Sequence, residues 1–281
     1  MNYMFVILLG LSLTSFGQNE TVVERNTPDV KPFVIGETVE MYSETLGEER
    51  ILNIYLPNEY SPDSSHLYPV IYLLDSSPHE DFIHIAGLVQ FASSPAVDLM
   101  PQSIVVGIES SDHMRDYTYP PKNEEYLTKS PTAGGSKNFM DFIEKELQPY
   151  VEENYKTAKH RTIIGHSMGG VLVTEVLIKR SYLFDDYIVV SPSIWWDDRS
   201  LLLEEPTVTD DPHLYVTVGD EAQTMVEGTV EIYSKMKHIV TPGNAYYKKI
   251  EGQNHNDVFH SGVYEAFKAL HKKPETSTSP E

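Results

Sequence analysis

The sequence predicts an α/β domain with a mostly parallel central sheet and helices on both of its faces. Short runs rich in Val, Ile and Tyr, nearly unbroken by polar residues, read as strands covered on both sides. Amphipathic stretches alternate with these runs, the pattern of successive βα units. No internal repeat and no Gly/Ser-rich or Pro-rich linker interrupts the alternation, so one domain, residues 33–271, accounts for it.

The elements follow in order. The stretch from Phe33 to Glu44 alternates in polarity and predicts antiparallel edge strands. Strands are then expected at "ILNIYLP" (51–57), "PVIYLLD" (69–75) and "SIVVGIE" (103–109). A long helix is expected at "SKNFMDFIEKELQPYVEENY" from residue 136, where apolar residues recur at helical spacing. The strand "RTIIG" (161–165) runs directly into the helix "MGGVLVTEVLIKR" from 168. "DYIVVSP" (186–192) and "HLYVTVGD" (213–220) continue the strand series, followed by a helix from 225, the strand "AYYKKIEG" (245–252) and a last helix from 262.

The ends differ from this body. An uninterrupted apolar run from Met4 to Leu13 followed by small and polar residues predicts a signal peptide over residues 1–17 and a secreted or periplasmic protein. The run is too short to span a bilayer, so no integral membrane segment is expected after its removal. The chain has no cysteine, which excludes a disulfide-stapled module and a lipid anchor on a thiol. Residues 272–281 are polar and aperiodic and read as a disordered tail. With Lys+Arg 21 against Asp+Glu 42, the formal charge of -21 argues against nucleic acid as a partner. Oligomeric state is not legible.

Gly165-His166-Ser167-Met168-Gly169 has the form G-x-S-x-G between a buried strand and a helix, the setting of a nucleophile elbow. A side chain two positions before or after Ser167 is expected to collide with the neighbouring strand or helix, which glycine avoids. The helix beginning here aims free N–H groups, that of Met168 among them, at the reacting centre. A serine hydroxyl needs a histidine base held by a carboxylate, arranged here in the order Ser, acid, His on loops after later strands. Asp220 and Glu221 follow one such strand and His255 another. Of eleven histidines, His255 has the right place. His260 is its competitor, read as a surface or capping residue; His166 is expected to be packed; His79, His84 and His113 could at most touch a ligand. No HExxH motif is present, and "HEDFIH" has the wrong spacing for one helical face, so neither metal nor other cofactor is expected in catalysis.

The segments "YPVIYLLD" (68–75), "IVVGIESSDHMRDYTYP" (104–120), "FIEKELQPYVEENY" (142–155), "RTIIGHSMGG" (161–170), "SPSIWWDD" (191–198), "VGDEAQTMVEG" (218–228) and "IEGQNHNDV" (250–258) carry a resemblance. In them the chain resembles the bacterial esterase family that includes the enterobactin and bacillibactin trilactone esterases. More distantly it is similar to S-formylglutathione hydrolase, feruloyl and acetylxylan esterases and mycolyltransferases. The resemblance implies the α/β-hydrolase fold and a serine esterase with Ser167 as nucleophile, His255 as base and Glu221 as orienting acid, Asp220 being the alternative. It implies Ser76 as the second oxyanion donor beside Met168, although the family more often has Gly there. Arg115 and Asp116 match an "RD" pair that either pins a loop or meets substrate, and Trp195 and Trp196 match paired aromatics that either pack or face the substrate. The segment between Gly107 and Gly135, with Tyr117, Tyr119 and Tyr126, is expected to act as a selective lid. The implied substrates are siderophore-like lactones or acetyl and feruloyl esters of carbohydrate. An acyltransferase and a non-catalytic binding module of the same fold are the other classes.

Overall fold

The computed structural model describes residues 30–272, so the expected signal peptide and all but the first residue of the expected tail lie outside the described residues. The described chain from residue 34 to residue 272 is one compact unit; of the preceding unit only residues 30–33 are described, and they are exposed.

Eight strands form one sheet in the order β1-β2-β4-β3-β5-β6-β7-β8. β1 (Glu37–Ser43) and β2 (Glu48–Tyr55) pair antiparallel, as the alternating pattern at the start predicts. β2 is antiparallel to β4 (Ile104–Ile108), and every later pairing is parallel: β3 (Tyr68–Leu74) with β4 and with β5 (Thr157–His166), then β6 (Asp186–Val190), β7 (His213–Val218) and β8 (Ala245–Lys249). Parallel strands require covered faces, and the buried side chains divide into two apolar layers. One holds Val70, Tyr72, Ile163, Val171 and Phe142; the other holds Ile71, Leu73, Ile164, Ile188 and Phe267.

The helix expected from 136 is present with a local widening. α4 (Ser136–Phe142) passes into a π-helical turn (Ile143–Leu147) and then α5 (Gln148–Asn154). Pro149 lacks an N–H and its ring would strike the carbonyl one turn earlier, and a wider turn relieves both. α6 (Met168–Lys179), α7 (Gln223–Met236) and α8 (Val258–Leu270) follow, the last starting four residues earlier than its apolar spacing predicts. Three α-helices among the described residues were not foreseen: α1 (Phe82–Ala92), α2 (His113–Tyr117) and α3 (Glu125–Lys129). α1 has a helical stripe of buried Phe82, Ile85, Ala86 and Val89 that the sequence contains.

At the N-terminal edge of the parallel strands, Asp186 is nearly fully buried and takes two imidazoles. His160 Nε2 lies 2.7 Å and His213 Nδ1 3.0 Å from its carboxylate. Asp186 raises both histidines above the ordinary 6.5, and they hold its carboxyl well below the usual range. A raised folded-state value favours the protonated form in the fold. This contribution is complete below about pH 6.5 and is lost as pH rises through the raised values. The acid limit comes from Asp186, whose share is lost only as pH falls through its depressed value. Half-buried His271 is shifted down by desolvation and opposes the trend on the acid side. The stability difference between wild type and Asp186→Asn, measured by urea unfolding, is therefore larger near pH 6 than near pH 8.5. Equal differences at both would contradict the linkage.

Candidate active site

β3, β5, β6, β7 and β8 run parallel, so the segments after their carboxyl ends gather at one edge of the sheet. Ser167 follows β5 directly and sits at φ 55° and ψ -117°, a left-handed backbone that a non-glycine residue adopts only under constraint. Its N–H donates to the Val190 carbonyl (3.1 Å), and its carbonyl accepts from the Ser193 N–H (2.9 Å), locking the turn to β6. A Cβ at Gly165 would lie 2.5 Å from the Gly169 carbonyl oxygen, so the expected collision holds there. At Gly169 the nearest atom to an added Cβ is Asp75 Oδ2 at 3.3 Å, a tight contact rather than a clash, so the requirement for glycine is weaker on the helix side.

His255 Nε2 lies 3.0 Å from Ser167 Oγ, and its Nδ1 lies 2.8 Å from Glu221 Oε2. Glu221 is buried, and its other oxygen accepts from the Ser191 hydroxyl and from the Gly219 N–H at 3.3 Å. Gly219 also brings the end of β7 against the His255 loop, since a Cβ there would come within 2.3 Å of the Gln253 carbonyl oxygen. Asp220, one position from Glu221, points elsewhere: it pairs with Lys249 at 2.6 Å and accepts the Gly252 N–H at 2.6 Å. Of the two carboxylates that the sequence leaves open, Glu221 is the one that reaches His255.

His166 is packed as expected, its ring 4.7 Å from that of His255 and 5.2 Å from that of Phe259. Burial, and then the neighbouring His255, lower its pKa to about 4. It is therefore neutral at physiological pH and adds no second positive charge beside His255. Its buried Nε2 has no hydrogen-bond partner.

The other expected roles divide. Met168 is the first residue of α6, where the helix itself leaves N–H groups unpartnered. The Ser76 N–H, in contrast, donates to the Ile108 carbonyl at 3.3 Å. That long bond would have to be shared or given up for Ser76 to serve an oxyanion. Arg115 is not positioned as a substrate contact: its guanidinium bonds Glu48 (2.6 and 2.9 Å), Asp116 (2.8 Å) and Ser111 (2.9 Å). Arg50, 1 % exposed, joins the same cluster through Glu48 and Asp116 at 2.8 Å each. This cluster ties α2 to β2, the loop-pinning alternative. Tyr117 and Tyr119 are buried, which removes them from substrate selection; Tyr126 alone of the three lines an open cleft.

Trp196 is also corrected. It is 1 % exposed, and its indole N–H donates to the Tyr119 carbonyl (3.1 Å) while the Tyr119 hydroxyl donates to its own carbonyl (3.0 Å). Trp195 is 43 % exposed and forms a wall of two clefts. One, of about 540 Å³, is lined by Ser193, Trp195, Asp220, Glu221, Met225 and His255 among others. The other, of about 440 Å³, is lined by Met114, Tyr126, Lys129, Trp195 and Asp198 among others. Sequence reasoning missed Ser191 and Ser193, the second of which lies with its Oγ 3.1 Å from Ser167 Oγ. Both stand in the "SPS" of a segment noticed only for its tryptophans. It also missed the contact of His113 Nε2 with Asp75 (3.0 Å) beside the elbow.

Residues 43–267 match the family model described as "Esterase: Putative esterase". The chain belongs to this family. Among curated relatives, the ferri-bacillibactin esterase BesA of Bacillus subtilis is 32% identical over 197 residues, covering 66% of this chain and 68% of the relative. The apo-salmochelin esterase of Escherichia coli is 26% identical, covering 75% and 71% of the two chains. A solved structure of the BES protein from Bacillus cereus superposes with a TM-score of 0.73 at 28% identity, over 88% of this chain and all of the other (100%). An IroE-like serine hydrolase from Shewanella oneidensis gives 0.72 at 27% identity, covering 84% and 80%. The fold is thus the α/β-hydrolase fold, and the chain is a carboxylic ester hydrolase by family. Among the described residues, no helix is long and apolar enough to cross a membrane.

Proposed function

We propose that this esterase is an exported serine hydrolase that cleaves neutral aromatic esters, of the iron-free catechol-lactone kind, through an acyl-enzyme. The observation that carries the reading is the continuous row from Ser167 Oγ through His255 to Glu221, with bonds of 3.0 and 2.8 Å. His255 takes the Ser167 proton as the hydroxyl attacks the ester carbonyl, and Glu221 holds the imidazole in the tautomer that leaves Nε2 free to accept. The Met168 N–H, at the positive end of α6, stabilises the oxyanion. The alcohol leaves with the proton from His255; water then repeats the sequence and releases the acid. Export rests on the apolar run from Met4 to Leu13.

Substrate class is argued from the cleft beside His255. Trp195 and Met225 give it an aromatic and apolar wall, and the formal charge of -21 disfavours an anionic iron complex. Of the relatives, the apo-salmochelin esterase is named for an iron-free siderophore and supports this reading, whereas the ferri-bacillibactin esterase is named for an iron-loaded one. The exposed Trp195 equally favours a second reading, a feruloyl ester of a sugar. A panel of iron-free and iron-loaded catechol trilactone, feruloylated sugar and acetylated xylan, with product analysis in the presence of an added alcohol, separates these readings from acyl transfer. Aromatic esters are expected to be cleaved best, with Trp195→Ala raising KM for them and sparing p-nitrophenyl acetate. Preference for acetylated xylan, or for the iron complex, would contradict the assignment.

A further inference from the structure

We propose that His84 and His260 form a binding site for a divalent transition ion, Zn²⁺ foremost, that bridges α1 and α8. The two rings come from helices 176 residues apart in sequence, yet their Nδ1 atoms face each other at 3.4 Å. That separation is long for a nitrogen–nitrogen hydrogen bond. It fits a shared ion: two nitrogens each about 2.05 Å from one metal at the tetrahedral angle stand about 3.35 Å apart.

The second nitrogen of one ring is already committed. His84 Nε2 lies 2.8 Å from Asp81 Oδ1, so the Nε2 proton donates to the carboxylate and Nδ1 presents its lone pair to the gap. A carboxylate on the far nitrogen of a ligating imidazole is the usual outer support of a metal site, fixing the tautomer and raising ligand basicity.

The helices are held together independently of any ion. Ile85, Ala86 and Val89 of α1 and Phe259, Val263 and Ala266 of α8 share one buried layer, and Phe91 and Tyr264 meet at 6.3 Å. His84 also meets the ring of Phe259 edge-on at 5.7 Å. The two ligands therefore start within reach of one ion and need little ordering to bind it. Both histidines are partly open to solvent, which gives the ion a path in and leaves its remaining positions to water. No group of three or more His, Cys, Asp or Glu side chains suited to one metal occurs among the described residues, so the protein supplies two ligands only. Imidazole donors with water suit Zn²⁺, Ni²⁺ and Cu²⁺ rather than Ca²⁺ or Mg²⁺. The site is separate from the ester chemistry and does not depend on that reading.

The test is calorimetric titration of the full chain with zinc chloride, with the copper-loaded protein followed by electron paramagnetic resonance. One saturable Zn²⁺ per chain is expected, weakened at least about tenfold in both His84→Ala and His260→Ala and about tenfold in Asp81→Asn. His160→Ala, in the other histidine cluster, leaves it unchanged. Copper is expected to show coupling to two nitrogens. Absence of saturable binding up to about 1 mM, or retention of it in either histidine variant, overturns the proposal.

Discussion

Ser167→Ala is expected to lower kcat/KM for ester hydrolysis by at least about 10⁴-fold, since no other group supplies the nucleophile. The fold should be untouched, because alanine keeps the Cβ and the turn is held by backbone bonds to Val190 and Ser193. The same position separates catalysis from stability in a second way. At φ 55° and ψ -117° the backbone of Ser167 is strained, and glycine relieves that strain. Ser167→Gly is thus expected to be equally inactive and more stable by about 1 kcal/mol, read as a Tm increase of a few degrees. Turnover near the wild-type rate in Ser167→Ala would remove the serine from the reaction. A lowered Tm in Ser167→Gly would remove the strain argument while leaving the chemistry intact.

Glu221→Gln is expected to cost about 10³ to 10⁴ in kcat, while Asp220→Asn changes it by less than about threefold. The carboxylate of Glu221 is fixed on one side by Ser191 and Gly219 and meets His255 Nδ1 on the other at 2.8 Å. An amide there presents an N–H to an N–H, or forces the imidazole into the tautomer whose Nε2 cannot accept the Ser167 proton. Asp220 faces Lys249 and the Gly252 N–H, so its loss loosens the loop between β8 and α8 without removing a charge from His255. Steady-state kinetics on p-nitrophenyl acetate for both variants decides the matter, and the reverse order would transfer the role to Asp220.

These outcomes bear on how much of the molecule its sequence discloses. The strands were legible because both faces of the sheet are covered, so β3, β4, β6, β7 and the second half of β5 are nearly continuous apolar runs, with helices following several of them. The order of Ser167, Glu221 and His255 along the chain was legible for the same reason, since loops after parallel strands meet at one edge. What escaped was decided by contacts between distant residues. Tyr117 and Tyr119 look like lid residues in a loop sequence, but the Glu48–Arg50–Arg115–Asp116 cluster pins that segment to β2 and turns the rings inward. Trp195 and Trp196 are adjacent and alike, and only packing against Tyr119 sends one inside and leaves the other facing the clefts. Ser191 and Ser193 carry no periodic signal at all; their roles arise from the turn that brings β6 beside the elbow. His84 and His260 are the extreme case, 176 residues apart and joined only by the packing of α1 on α8.

The most direct test of the reaction proposed for this esterase is labelling with a fluorophosphonate, followed by mass spectrometry of the modified peptide. A single adduct on Ser167 is predicted, formed at least about a hundredfold more slowly in His255→Ala, because an unassisted hydroxyl is a poor nucleophile. An adduct on Ser193, whose hydroxyl is 3.1 Å away, or no adduct with active protein, would contradict it.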